Sequence, residues 1–311
     1  MILVTGGTGF VGRTLVKQLV DMDYPVRIIL RPSWRSPEIP RGIPLEVAIS
    51  SLNDERGLRA AMVGVNTVYH LAGVEQRGVY GDLMAVDIRG TRAVVNAALD
   101  AGVDRIFYLS HIGADRSSAY PVAKAKAIAE QYIRKSGLNY TIFRSAIVYG
   151  PTDGFTTSLA RLLYALPFIF LIPGDGRSLL QPLWIEDLVT CLVWALDDVR
   201  TYNETYELGG PEQLTLKQIM TIIMETLGIH RRLVSVRSSY LRALTVFLEA
   251  IFPGLPISVF WLDYLATNHT CALDTLPRVF NLLPDRMSHQ LGYLQATNWR
   301  VSLFKTMFRR K

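Results

Sequence analysis

The sequence predicts an α/β fold, a doubly wound parallel sheet followed by a smaller C-terminal lobe, and three observations carry that expectation. The chain opens on a short apolar run, Ile2-Leu3-Val4-Thr5, that ends in a glycine-rich turn and passes into an amphipathic helical segment over residues 13–20. Strand-like and helix-like stretches then alternate as far as Arg144, the pattern of parallel strands joined by crossover helices. Beyond Gly150 the alternation gives way to longer apolar stretches punctuated by proline. The expected division is residues 1–150 for the sheet domain, with residues 181–208 returning to it, and residues 151–311 mainly for a second lobe.

The first turn reads Gly6-Gly7-Thr8-Gly9-Phe10-Val11-Gly12. Glycine suits such a turn because it adopts backbone angles closed to other residues and, lacking a side chain, lets an anion approach the main chain. A helix starting near Gly9 to Gly12 directs its free N–H groups and its positive dipole end at that anion. The stretch therefore reads as a dinucleotide site, with Gly6, Thr8, Gly9, Phe10, Val11 and Gly12 around the pyrophosphate.

A second strand over residues 24–30 ends at Arg31, with Arg35 shortly after. An acidic residue about twenty positions beyond the glycine turn suits the free ribose of NAD, whereas a basic one suits the 2'-phosphate of NADP, so the local charge favours NADP(H) over NAD(H). Residues 45–49 read as a third strand. Asn53 reads as the N-cap of a helix running to about Val63, and residues 67–71 as a fourth strand ending in His70-Leu71-Ala72-Gly73. His70 reads as a neutral histidine at a strand end. A long helix is expected from Val86 to about Ala98, and a fifth strand over residues 105–110.

Ten residues after that strand stands Tyr120-Pro121-Val122-Ala123-Lys124. Helix positions four apart share a face, so the Lys124 ammonium can lie near both the Tyr120 phenol and a cofactor ribose. An ammonium beside a phenol stabilises the phenolate, which makes Tyr120 a candidate general acid/base. Ser110, Ser117 or Ser118 could hydrogen-bond the substrate oxygen.

A sixth strand over residues 140–144 follows. Residues 155–171 are expected to be helical, residues 173–177 a turn, and residues 181–187 the lead into a helix ending near Leu196, with another helix over residues 216–227. The end of the chain, Phe304-Lys305-Thr306-Met307-Phe308-Arg309-Arg310-Lys311, would as a helix set an apolar face beside a basic cluster, an arrangement suited to an anionic membrane surface or an acidic partner.

Half of the 311 residues are hydrophobic, enough for a substantial core. Cys191 and Cys271 have no paired spacing, which argues against a disulfide framework and a metal site and for a reducing, cytoplasmic setting. The first strand begins at Met1 and runs into a functional turn, so no secretory leader is expected. The most apolar stretches are interrupted by Pro167, Pro253 and Pro256, so none is expected to span a membrane. The net charge of +6 is spread out and accompanies no nucleic-acid-binding motif.

The motif Thr-Gly-x-x-Gly-x-x-Gly at Thr5 to Gly12, the Tyr120/Lys124 spacing, Ser145-Ala146-Ile147-Val148-Tyr149-Gly150-Pro151 and Pro173-Gly174-Asp175-Gly176 together resemble the short-chain dehydrogenase/reductase superfamily. The resemblance is to its extended and atypical branch of epimerase/dehydratase-like Rossmann proteins, and it covers essentially the whole chain. Later stretches such as residues 263–269 and 273–276 look similar to the group containing the NADPH-binding accessory subunit of respiratory complex I. The resemblance implies that Leu71, Ala72 and Gly73 form a second turn close to the cofactor, that Ser110 is the substrate-orienting serine, and that Tyr120 and Lys124 contact the cofactor. Three departures stand out: Ile49-Ser50-Ser51-Leu52 lacks the family's aspartate near the adenine, Asp87 replaces an asparagine, and Ser145 replaces a proline. Two functions follow as expectations. One is an NADP(H)-dependent oxidoreductase or epimerase/dehydratase acting on a carbonyl or alcohol carbon of an apolar substrate; the other is a cofactor-stabilised accessory or assembly subunit of a membrane-associated respiratory or photosynthetic complex.

Overall fold

The structure is a computed structural model that describes residues 1–33, 42, 44–74, 81–251 and 258–307, the side chains of 305–307 excepted. Two compact units emerge. The first comprises Met1–Val74, Asp82–Ser145 and Ile185–Leu208, and the second the remaining described residues.

In chain order the first unit supplies β1 (Ile2–Thr5), α1 (Phe10–Asp21), β2 (Val26–Leu30), β3 (Glu46–Ile49), α2 (Glu55–Met62) and β4 (Thr67–His70). A π-helical segment, Met84–Gly90, runs straight into α3 (Thr91–Asp100), and β5 (Arg105–His111), α4 (Pro121–Arg134) and β6 (Asn139–Ser145) follow. The second unit begins with β7 (Val148–Tyr149), α5 (Thr156–Ala165), β8 (Ile169–Pro173), β9 (Leu179–Leu180) and β10 (Leu183–Trp184). The chain rejoins the first unit with α6 (Ile185–Asp197) and β11 (Glu204–Leu208). It ends in the second with β12 (Leu214–Thr215), α7 (Leu216–Leu227), β13 (Arg232–Val236), α8 (Ser238–Ile251), α9 (Val259–Tyr264), α10 (Thr275–Phe280), α11 (Met287–Gln290) and α12 (Trp299–Met307).

The first unit is built on a seven-stranded sheet of order β11-β6-β5-β4-β1-β2-β3 in which every pairing is parallel. Its central strands read as continuous apolar runs because helices cover both faces: Leu3, Val4, Val68, Tyr69, Ile106 and Phe107 are all fully buried. Edge strand β3 is mostly exposed and carries Glu46, whose carboxylate holds Arg27 of β2 at 2.6 Å. Arg27 also donates to the Ala61 and Val63 carbonyls, satisfying the otherwise open C-terminus of α2.

Three local expectations are corrected. Residues 155–171 are not one helix: α5 stops at Ala165, and β8 pairs in parallel with β13 from Ile169↔Arg232 to Pro173↔Val236. Pro167 disfavours helical angles at the residue before it, and Leu166 accordingly sits at φ −111°, ψ 95°. The N-cap of α2 is Asp54 rather than Asn53, since its carboxylate accepts the Gly57 N–H at 3.0 Å. The helix expected from Val86 begins as the π-helical segment and becomes regular only at Thr91.

In the second unit, the buried Asp153 carboxylate accepts from the backbone of Gly150, Thr156 and Thr157 and from the Thr156 hydroxyl, which anchors the start of α5. Burial raises its pKa above the usual carboxylate range. Helix α7 opens on a capping box between Thr215 and Gln218 and closes on Gly228 at φ 64°. Among the described residues no helix is long and apolar enough to cross a membrane.

Candidate functional site

Strand order reverses between β1 and β4: from β1 the chain proceeds outward through β2 to β3, and from β4 the other way through β5 to β6. In such sheets ligands bind outside the carboxyl ends of the strands at the point of reversal. Both glycine-containing turns lie there, Gly6 to Gly12 after β1 and Leu71-Ala72-Gly73 after β4. They pack against each other so closely that a Cβ on Gly6 would stand 2.8 Å from the Ala72 nitrogen, and Gly6 adopts φ +75°. A Cβ on Gly12 would stand 2.2 Å from the Gly6 carbonyl oxygen, so only glycine lets the helix start this close beneath the turn. Gly9 caps α1 with no side-chain hydrogen bond, and the first turn of the helix carries no acid. Its N–H groups are thus left for an anion. Thr8, Phe10 and Val11 are half-buried around this opening, and Gly9 and Gly73 are exposed. A cradle that a Cβ would fill, lined by open N–H groups, suits a pyrophosphate.

The two strand ends are locked together beneath the turns. His70 Nδ1 lies 2.7 Å from Thr5 Oγ1 and its Nε2 lies 2.9 Å from Thr91 Oγ1. Thr91 donates its own hydrogen to the Asp87 carbonyl at 2.6 Å. It can therefore only accept from Nε2–H, which leaves Nδ1 to accept from Thr5. Burial, with the Lys126 ammonium adding to it, holds the His70 pKa down at about 3, so the ring is the neutral histidine its sequence position suggested. Beside it Asp87, wholly buried in the π-helical segment, accepts the Val74 N–H at 3.2 Å and pairs with buried Lys126 at 3.0 Å.

Tyr120 is the N-cap of α4, in extended backbone with Pro121 at the first helical position, and its carbonyl accepts the Lys124 N–H at 3.1 Å. Tyr120 is half-buried and Lys124 exposed, and neither side chain makes a hydrogen bond or ion pair with another described residue. Ser118 Oγ accepts the Tyr120 N–H at 3.1 Å, and Ser117 donates through both nitrogen and hydroxyl to Asp115, holding that exposed carboxyl below its usual range. Ser110 is buried, and its hydroxyl donates to Glu130 Oε1 at 2.6 Å. Arg144 grips the same carboxylate through two nitrogens at 2.9 and 2.8 Å, and Arg134 adds a third contact. Arg31 is exposed immediately beyond β2. Arg35 lies outside the described residues.

Two buried charged groupings, Asp87–Lys126 and Glu130–Arg144, escaped the reading of the sequence. Their trace is present in α4, where Lys126 and Glu130 stand four apart among Ala125, Ala127 and Ala129 on the face that the helix buries.

Residues 6–161, just over half of the chain, match the model of a family described as NAD(P)H-binding. The chain belongs to this family. The extended and atypical short-chain dehydrogenase/reductase kinship read from its motifs holds, and the protein is an NAD(P)-binding member of it. It is 31% identical over 232 residues to the mitochondrial NADH dehydrogenase [ubiquinone] 1 alpha subcomplex subunit 9 of Arabidopsis thaliana, matching 71% of this chain and 56% of that one. A ceramide reductase of Caulobacter vibrioides is 28% identical over 62% of this chain and 60% of its own. The chain thus spans less than two thirds of these relatives. The UDP-glucose 4-epimerase of Thermotoga maritima, solved with UDP-glucose, has the same fold: TM-score 0.73 at 21% identity, covering 97% of this chain and 99% of that one.

Proposed function

We propose that this family member binds NADP(H) at the β1/β4 switch point and exchanges hydride with a carbonyl or alcohol carbon of an apolar substrate. The observation that carries the reading is the glycine cradle, with the exposed Arg31 guanidinium at the end of the adjacent strand. The cofactor, when bound, supplies or receives the hydride. Gly6, Thr8, Gly9, Phe10, Val11 and Gly12 hold its pyrophosphate, Leu71, Ala72 and Gly73 pass beside it, and Arg31 pairs with the 2'-phosphate. Tyr120 exchanges the proton on the substrate oxygen, and Lys124 holds the ribose and steadies the negative phenol oxygen. Ser110 orients the substrate oxygen only if its hydroxyl turns away from Glu130. On this reading residues 1–150 with 181–208 serve the cofactor and residues 151–311 the substrate or partner. The test is fluorescence titration with NADPH and NADH, followed by turnover with a panel of aldehydes and ketones. Tighter NADPH binding, lost by roughly tenfold or more in Arg31→Asp, and turnover abolished in Tyr120→Phe with binding kept, are the expected results. Equal affinity for the two nucleotides in both proteins overturns the NADP(H) assignment.

A second reading is an accessory subunit, stabilised by its nucleotide, at a membrane-bound respiratory complex. The observation favouring it is an apolar stripe on α8, where Tyr240, Leu244, Phe247 and Ile251 recur at helical spacing and are all exposed. A relative that is a subunit of NADH dehydrogenase adds weight. Bound NADPH that stays inert toward the whole panel, in wild type and Tyr120→Phe alike, decides for this reading.

A further inference from the structure

The second unit encloses a cavity of about 320 Å³ between α5, β8, α8 and α9. Its wall is Leu159, Leu162, Phe170, Leu241, Leu248 and Trp261 with their apolar neighbours, and no ionisable side chain lines it among the described residues. Walls this apolar hold water weakly, so water compensates little for the packing that the wall forgoes. Three hydroxyl side chains, Ser158, Thr245 and Ser258, interrupt the apolar lining, and that of Ser258 stands apart. Ser258 lines the cavity, is 7% exposed, and its buried hydroxyl has no hydrogen-bond partner. A buried hydroxyl without a partner is costly, and natural structures keep few of them unless a ligand answers them. The cavity also reaches solvent: Leu166 and Leu244 belong to its lining and are 36% and 44% exposed. Leu244 is shared with the exposed stripe of α8, so the mouth is rimmed by apolar side chains.

We propose that this cavity binds a neutral, single-chain aliphatic lipid, a long-chain alcohol, aldehyde or ester, whose oxygen accepts a hydrogen bond from Ser258. The absence of a cation in the lining argues against a fatty acid carboxylate, because an ionised group taken out of water requires a partner. The apolar rim suits a ligand that arrives from a lipid phase rather than from water. The inference stands on the second unit alone and does not depend on the cofactor reading.

The test uses the full chain and the hydrocarbon probe 1,6-diphenylhexatriene, displaced by 1-decanol, by decanoate at pH 8, or by phosphatidylcholine vesicles. Saturable probe binding, displaced by decanol at roughly tenfold lower concentration than by decanoate, is expected. Ala165→Trp, a change at an exposed lining residue, weakens the probe roughly tenfold by filling the mouth. Ser258→Ala weakens decanol about fivefold and leaves the probe unchanged. NADPH titration, measured on every variant, stays at the wild-type value and so separates this site from the nucleotide site, while an unfolding midpoint that does not fall shows each variant folded, Ser258→Ala gaining from the loss of its unpartnered hydroxyl. Absence of saturable probe binding, or unchanged binding in a folded Ala165→Trp, overturns the proposal. Displacement by vesicles but not by decanol overturns the single-chain assignment.

Discussion

Gly12 has no room for even a methyl group, because a Cβ there would lie 2.2 Å from the Gly6 carbonyl oxygen. Gly12→Ala is therefore expected to displace the turn, destabilise the protein by about 1–3 kcal/mol and weaken NADPH binding, both measurable by urea unfolding and fluorescence titration. His70 lies under the same turns and gives them a pH dependence. Its folded pKa, about 3, is depressed below the 6.5 of the free side chain. Its stabilising neutral state is thus fully present above about pH 6.5 and is lost as pH falls toward 3, with a slope of up to about 1.4 kcal/mol per pH unit. Unfolding free energies between pH 7 and 4 should show that slope in the wild type and a shallower one in His70→Gln.

At the scale of the element, α4 carries the most consequential packing. Lys126→Met leaves the Asp87 carboxylate buried without its cation and is expected to cost about 3–5 kcal/mol, whereas Asp87→Asn with Lys126→Met recovers much of the loss. Double-mutant unfolding measures this directly. The same helix marks how far the sequence could be read. That a helix carries Lys124 was legible from the Tyr120/Lys124 spacing, but its start was not read: Tyr120 caps it in extended backbone, with Pro121 at the first helical position. The destination of its buried charges was not legible, because Asp87, Ser110 and Arg144 come from other elements, and nothing local in the chain records which one meets which. Likewise, the doubly wound sheet was legible from alternating strands and helices. Strand β8 was not, because it is held by pairing with β13 some sixty residues on, and only Pro167 hinted at the break.

For the molecule as a whole, a ligand that binds only the folded state stabilises it by mass action. NADPH at a hundred times its dissociation constant is expected to add about 2.7 kcal/mol to unfolding of the first unit, and NADH at the same concentration less. Thermal unfolding with each nucleotide, in wild type and Arg31→Asp, checks both the sign and the preference. A protein stabilised equally by the two would remove Arg31 from the site.

Arg105 carries a further consequence. Its buried guanidinium stacks against Phe107 and Tyr202 and donates to the Ala195 and Leu196 carbonyls and to the hydroxyls of Thr141 and Thr201. The partners after residue 185 are translated only once β7 to β10 have been made. A nascent chain that has emerged only as far as β6 therefore carries that guanidinium largely without acceptors, along with a bare strand edge where β11 belongs. The sheet closes late in synthesis, after a long interruption, and through that interval a nascent-chain chaperone would have an apolar edge to shield.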